Sequence, residues 1–296
     1  MPTFTFLKIR HIKEVFEELY SAHLIRPLQM GSVPEVKEIT VSNLIGKSNI
    51  LDYTINPYGG CGIGCIYCYA RYVGKVYGKR LNEWGRYVYP KVNAPLLASR
   101  EAKRVREGSI YISSLTDPYQ PLEAKYKITR KILEALLRYK DKLTLVIQTK
   151  STLVLRDIDL IEKFERVKVG FTIVCDDEWS KLIEPKASSP TARIEALKIL
   201  KERGISTYAF IGPILPLITD PFEILANVRS HVDEAYFDKL NLRPGVWRSL
   251  MPLLRAKGLE KTYRRIMFGR DNFYEKMRKR IFDYCSSVGV ECHILF

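Results

Sequence analysis

The sequence predicts an α/β protein built as a partial (β/α)6 barrel, and three observations carry that prediction. Short runs rich in Val, Ile, Leu and Thr alternate with amphipathic stretches, the pattern of βα units around a parallel sheet. Six such runs are present, too few for a closed eight-stranded barrel. The chain of 296 residues, 46% of them hydrophobic, is long enough to bury a large core around them.

Residues 1–45 form an N-terminal extension with no assignable element. Strands are expected over 51–56, 109–113, 143–149, 167–174, 206–211 and 235–241. LTLVIQT and VKVGFTIV are nearly unbroken apolar or β-branched runs, which predicts strands covered on both faces. Between strands, Ile132, Leu133, Leu136 and Leu137 form the apolar stripe of one helix. Ser189 and Pro190 read as the N-cap and first residue of another, with Ile194, Leu197 and Leu200 facing inward and Gly204 at its end. Asp220, Pro221 and Glu223 open a third, whose inner face is Phe222, Leu225 and Val228. The expected organisation is therefore an extension (1–45), a TIM-type partial barrel (46–245) with its site at the C-terminal strand ends, and a basic helical segment (246–296) packed on the barrel and ending in the strand-like VECHILF. A flat doubly wound sheet is the alternative.

Composition narrows the class. The longest nearly apolar run, 208–218, is broken by Gly212, Pro213 and Pro216 and falls short of the ~20 residues a spanning helix requires. The opening MPTFTFLKIRHIKEVFEELY has no basic region, apolar run and small-residue cleavage site, so a cytoplasmic protein without membrane attachment is expected. Three Gln among abundant Lys, Arg and Glu match the surface composition of a thermophilic protein. The net charge of +15 lies in two segments: 71–106 contributes +8 and 255–280 contributes +7, while the remainder is neutral.

Three of the six cysteines, Cys61, Cys65 and Cys68, fall within eight residues in NPYGGCGIGCIYCYAR, directly after the first strand. Clustering of this kind points to a metal rather than to a secreted disulfide framework. Three thiolates in a tight loop can hold three irons of a [4Fe-4S] cube and leave the fourth iron open. A zinc site from the same cysteines would need a fourth ligand, and the paired C-x2-C halves of a knuckle are absent.

The spacing C-x3-C-x2-C with an aromatic residue, Tyr67, just before the third cysteine resembles the signature of the radical S-adenosylmethionine (SAM) superfamily. The stretches INPYGGCGIGCIYCYARY, SSLTDPYQPLE, QTKSTLVLRDIDL, GFTIVCDDEWSKLIEPKASSPTARIEAL and PILPLITD resemble its spore photoproduct lyase-like branch, called DNA repair photolyase, over about residues 45 to 245. The resemblance implies a [4Fe-4S] cluster whose open iron chelates S-adenosyl-L-methionine, reductive cleavage to a 5′-deoxyadenosyl radical, and hydrogen abstraction from a substrate. It implies that Cys61, Cys65 and Cys68 are the cluster ligands and that Tyr67 lies against the adenine. Ser113 and Ser114 stand where the superfamily contacts the methionine amino group, although its Gly-Gly-Glu-like motif is missing. Thr172 is the candidate ribose contact, and Arg193 the candidate partner of the cofactor carboxylate. Gln148, Thr149 and Lys150 end the third strand and are placed to face cofactor or substrate.

One departure bears on the reaction. In spore photoproduct lyase a cysteine just before the second-strand Asp donates hydrogen to the product radical; before Asp117 this sequence reads Ser113-Ser114-Leu115-Thr116. A serine O–H is too strong a bond to replace a thiol, which argues against thymine-dimer reversal. Cys175, just past the fourth strand, is the candidate thiol from elsewhere, against a plain reading as a small buried hydrophobe. Cys285 and Cys292 with His293 offer an auxiliary cluster, with spacing wrong for tight cluster loops. His11, His23 and His231 lie on helical patterns and read as structural.

Both basic segments interleave cations with aromatics: Arg71, Tyr72, Lys75, Tyr77, Lys79, Arg80, Trp84, Arg86 and Tyr87 in the first, Tyr263, Arg264, Arg265, Phe268, Arg270, Phe273 and Tyr274 in the second. Such mixtures track phosphates and stack bases, which predicts a nucleic acid, RNA or DNA, as substrate for repair or modification. An electron donor such as a ferredoxin or flavodoxin is the other expected partner. Two rival readings are a radical SAM enzyme acting on a peptide, protein or small molecule, and a non-catalytic iron-sulfur protein that binds nucleic acid.

Overall fold

The computed structural model of the chain describes residues 34–105 and 107–296; the expectations for His11, His23 and most of the N-terminal extension lie outside them. The strands are β1 (Glu35–Val36), β2 (Ile45–Lys47), β3 (Tyr53–Ile55), β4 (Tyr58–Gly59), β5 (Tyr87–Pro90), β6 (Gly108–Ile112), β7 (Leu143–Thr149), β8 (Arg166–Thr172), β9 (Ser206–Ile214), β10 (Glu234–Lys239) and β11 (Glu291–Ile294). The six expected strands are β3 and β6 to β10, side by side, in sequence order and all parallel. β2 adds to one edge antiparallel to β3, and β11, the VECHILF strand, adds to the other parallel to β10. The eight-stranded sheet runs β11-β10-β9-β8-β7-β6-β3-β2, and its two end strands do not pair with each other. It is an open, partial barrel. A separate three-stranded sheet, β1-β5-β4, which the sequence did not suggest, borders the cysteine segment.

Side-chain alternation decides which face does what. Ile110, Ile112, Leu145, Ile147, Val169, Phe171, Ala209, Ile211, Ala235 and Phe237 are almost fully buried and share one core with Ile132, Leu133, Leu136, Leu197, Leu200, Leu225 and Val228 of the surrounding helices. Each fully buried aliphatic side chain contributes about 1.5–3 kcal/mol, so this outer layer holds the barrel together. The alternate positions, among them Tyr111, Gln148, Thr172, Phe210 and Asp238, line a cavity. The expectation of strands covered on both faces is corrected for β7, which alternates strictly between buried and half-buried residues, whereas residues 169–174 of VKVGFTIV are all buried.

The expected helix starts are formed. Ser189 Oγ accepts from Ala192 N at 3.2 Å before the helix Pro190–Glu202, and Asp220 Oδ1 accepts from Phe222 N and Glu223 N before Pro221–Val228. These bonds satisfy N–H groups that a helix leaves without internal partners. The last 50 residues form three helices, Val246–Ala256, Glu260–Phe268 and Phe273–Val288. No helix among the described residues is long and apolar enough to cross a membrane.

Cys285 and Cys292 form a disulfide that ties the last helix to β11. This corrects the auxiliary-cluster expectation, since neither thiol is free to ligate iron. His293 instead stacks on Tyr236 with ring centroids 4.5 Å apart. Closing so short a loop restricts the unfolded chain by about 2–3 kcal/mol. Mild reduction, or Cys285→Ser, is expected to lower the melting temperature by roughly 4–5 °C, checked by calorimetry with and without dithiothreitol.

Candidate active site

The cysteine loop leaves β4 and is pinned by Gln120, which sequence reasoning did not single out, and by Arg71, expected to track phosphates but buried here. Gln120, fully buried, accepts from Gly62 N at 2.6 Å and donates to Gly60 O at 3.3 Å. Arg71 donates to Ile66 O at 2.7 Å, Cys68 O at 3.1 Å and Cys65 O at 3.3 Å. A guanidinium that binds three carbonyls of one loop fixes its curvature, and charged hydrogen bonds of this kind contribute about 1.5–3 kcal/mol each. At Gly64 and Gly85 the backbones meet. Both have positive φ (+72° and +89°), and a Cβ on Gly85 would sit 2.7 Å from the Cα of Gly64.

Cys61, Cys65 and Cys68 carry free thiols, the first two buried and the third half-buried. All three line a cavity of about 410 Å³ at the C-terminal ends of the barrel strands. Burial, reinforced by Asp117, pushes the Cys61 thiol up to about 12. Burial also drives Cys65 well above the ordinary thiol range and raises Cys68. A metal that binds here must therefore displace protons. Three free thiols on one cavity wall fit a polynuclear iron–sulfur group with one position left to the cavity.

Beneath the loop lies a buried ion pair. Tyr67 donates its hydroxyl to Glu184, and Arg193 pairs with the same carboxylate. Arg193 also donates to Thr172 O at 2.7 Å and Ser188 O at 2.8 Å. Burial would raise the Glu184 carboxyl, but Arg193 and Lys150 outweigh it and hold the group below the ordinary carboxylate range. Arg193 is itself fully buried and absent from the cavity wall. The expectation that it meets a cofactor carboxylate is therefore corrected: it braces Tyr67 and the end of β8 from behind. Lys150, whose ammonium stands 5.8 Å from the centre of the Tyr67 ring, is a cation that does line the cavity.

Asp117 ties the strand ends together. Its carboxylate accepts from Thr149 Oγ1 at 2.6 Å, Lys150 N at 2.7 Å and Tyr119 N at 2.8 Å, joining the ends of β6 and β7. Ser113 bonds Asn56 Oδ1 at 3.0 Å, and Ser114 Oγ accepts from Thr54 at 3.0 Å. Thr172 Oγ1 accepts from Gln148 Nε2 at 3.0 Å. Tyr67, Ser113, Ser114, Thr149, Lys150, Thr172 and Gln148 all line the cavity with the three cysteines. Cys175 does not: it is buried and packs in the cluster of Val174 and Ile183. Its candidacy as a hydrogen donor is corrected by that placement. From β10 and the turn after it come Asp238, Lys239, Asn241 and Arg243, none of them anticipated.

Gly245 lies against Arg71 and Leu81, and Trp84 and Tyr87 of the first basic segment and Tyr263 of the second belong to one apolar cluster with the cysteine loop and Leu250. The stacking expectation is corrected in part, because Trp84, Tyr87 and Tyr263 are buried in that cluster. Tyr72 and Phe268 remain exposed, and Arg264 stands over Trp247.

An open parallel barrel thus carries a three-thiol loop at the C-terminal mouth of its strands. The family model described as the radical SAM superfamily matches residues 55–226, and the chain belongs to that superfamily and is an enzyme of it. An uncharacterized protein of Methanocaldococcus jannaschii is 40% identical over 72% of this chain and 81% of its own length. A protein of Pseudomonas phage M6 named radical SAM Nalpha-GlyT isomerase is 26% identical over 54% of this chain and 32% of its own. The chain spans 55% of the length of its mycobacterial relatives. Among solved structures, spore photoproduct lyase complexed with dinucleoside spore photoproduct superposes with a TM-score of 0.63 over 96% of this chain and 94% of that one, at 15% identity, a likeness of fold.

Proposed function

We propose that the protein binds a [4Fe-4S] cluster through Cys61, Cys65 and Cys68 and S-adenosyl-L-methionine on its open iron, and abstracts hydrogen from a nucleic acid in repair or modification. When bound, the cluster and S-adenosyl-L-methionine supply a carbon-centred radical for that abstraction. The observation that carries the reading is the meeting of three free thiols with a cationic rim at one cavity. Lys150, rather than Arg193, is the side chain placed for the cofactor's carboxylate. Tyr67, held from behind by Glu184, presents its ring for stacking on adenine, and Ser113, Ser114, Thr149 and Thr172 offer oxygens for the amino group and ribose.

The charge concentrated in the two basic segments supports a polyanionic substrate. Lys239, Arg243 and the exposed Tyr72 at the cavity wall suit a backbone and unstacked bases. A base inside a duplex is out of reach of the cavity, so the substrate would be single-stranded, damaged or flipped. Docking of a ferredoxin- or flavodoxin-type electron donor belongs to the same reading.

The test is 5′-deoxyadenosine formation by anaerobically reconstituted, reduced enzyme, alone and with single-stranded, double-stranded and ultraviolet-treated RNA and DNA. One nucleic acid is expected to raise the yield well above background, with binding that weakens steeply as salt rises. Background cleavage that no nucleic acid stimulates would move the substrate to peptides or small molecules. Iron content unchanged in the variant with all three loop cysteines replaced by Ala would sink the cluster assignment.

A further inference from the structure

Beside the cysteines the fold leaves one buried donor without an acceptor. Six buried side-chain atoms have no hydrogen-bond partner among the described residues, and of these only the indole nitrogen of Trp84 belongs to the wall of the cavity that holds Cys61, Cys65 and Cys68. Desolvating such a donor without a partner costs about 1–3 kcal/mol, so folded proteins keep few of them, and chiefly where a bound group takes the bond. The chain fixes the indole in place. Glu83 Oε2 accepts from Arg80 N at 2.8 Å and Glu83 O accepts from Arg86 N at 2.9 Å, which closes a turn around Trp84 and Gly85. The Tyr87 ring meets the indole edge-on with centroids 6.3 Å apart, and the side chain is buried. Its N–H acts on the sulfur of Cys68: burial raises that thiol, and the Ala70 N–H, Lys150, Arg71 and the Trp84 N–H work against burial.

We propose that in the loaded protein the Trp84 indole donates its N–H to a sulfur at the Cys68 corner of the cluster and raises the cluster's reduction potential. The inference rests on the cluster reading above. Indole chemistry suits the task, because the group is a donor only, with no lone pair to offer iron in place of a thiolate. Arg71, buried beside the same loop, has its N–H groups engaged by the carbonyls of Cys65, Ile66 and Cys68, whereas the Trp84 N–H is uncommitted. A cluster gains one negative charge on reduction, and a fixed donor aimed at its sulfur stabilises that state more than the oxidised one. Hydrogen bonds to the sulfurs are among the features that set iron–sulfur potentials. The step itself is the passage of one electron from the reductant, dithionite in the laboratory, to the cluster. No bond forms or breaks, and the indole keeps its hydrogen.

Trp84→Phe removes the N–H and keeps an aromatic ring against Tyr87. The sign of its effect separates two causes. A lost donor lowers the potential, whereas lost packing admits water, which favours the more highly charged reduced state and raises it.

The test is a redox titration of reconstituted protein, followed by the paramagnetic signal of the reduced cluster. The midpoint is expected to fall in Trp84→Phe with iron content unchanged, so that at the wild-type midpoint the ratio of reduced to oxidised cluster drops about tenfold, a shift of about 59 mV for one electron. Tyr87→Phe is the control: it removes a buried, unpartnered hydroxyl from the same apolar cluster but off the cavity wall, and should titrate as wild type. Wild-type protein carrying indole-15N tryptophan should also show a nitrogen hyperfine coupling to the reduced cluster, since Trp179 and Trp247 do not line the cavity. If Trp84→Phe fails to load iron, that coupling decides. A midpoint unchanged or raised in Trp84→Phe, an equal fall in Tyr87→Phe, or no nitrogen coupling in wild type overturns the inference and leaves the cluster reading standing. Wild-type protein that takes up no iron–sulfur cluster would overturn both.

Discussion

Arg193→Met is expected to destabilise the protein by about 3–5 kcal/mol, measured by chemical denaturation at pH 7. Both partners of the Arg193–Glu184 pair are fully buried, so the variant leaves a carboxylate with no compensating guanidinium. Removing one partner is far costlier than removing both. Glu184→Leu with Arg193→Met should therefore recover much of the loss, and the cycle of single and double variants gives the coupling directly. The sign with pH follows from Glu184. Its carboxyl is held below the ordinary value in the folded state, so its stabilisation is present above the unfolded carboxylate range and disappears as pH falls through the folded value. The gap between wild type and Arg193→Met should accordingly be widest near neutrality and narrow below about pH 4. An equal gap at both pH values would mean that lost packing, not the charge pair, carries the effect.

What the sequence could and could not reveal follows the range of the interactions. The six central strands, the caps at Ser189 and Asp220 and the cysteine loop are local patterns, and local patterns are legible. The Glu184–Arg193–Tyr67 brace joins positions 117 residues apart between Tyr67 and Glu184, and nothing in a helix stripe distinguishes an arginine that turns inward from one on the surface. Gln120 offered a faint signal: one of three glutamines in the chain, it stood inside the matched stretch SSLTDPYQPLE and still gave no hint that its amide pins Gly60 and Gly62. β4 and β5 are too short to show a period, and β11 was visible only as a tail. The two-faced burial expected for LTLVIQT failed because Val146 and Gln148 face an open barrel, whose interior polarity is a property of closure and not of one strand. Trp84 and Tyr263 looked like stacking residues because composition shows that cations and aromatics are neighbours, but not which of them the fold buries.

Gly85→Ala is expected to cost about 2–5 kcal/mol and to reduce iron loading of the reconstituted protein to below half. Two effects combine. At φ +89° a Cβ meets the strain of the left-handed region, about 1–2 kcal/mol. The new methyl would also lie 2.7 Å from the Cα of Gly64, a backbone atom that has no rotamer to escape into, so the loop itself must shift. Gly64 precedes Cys65, and Arg71 and Gln120 hold the rest of the loop against compensating movement. Displacement therefore falls on the sulfur positions, where the proposed cluster would tolerate little. Gly78→Ala separates strain from collision, since Gly78 has a similar φ of +68° and a Cβ there would meet nothing within 4 Å. It should lose about 1–2 kcal/mol and keep its iron. If Gly85→Ala loads iron as fully as Gly78→Ala, the contact at Gly64 does not set the geometry of the three cysteines, and the loop adapts to its metal.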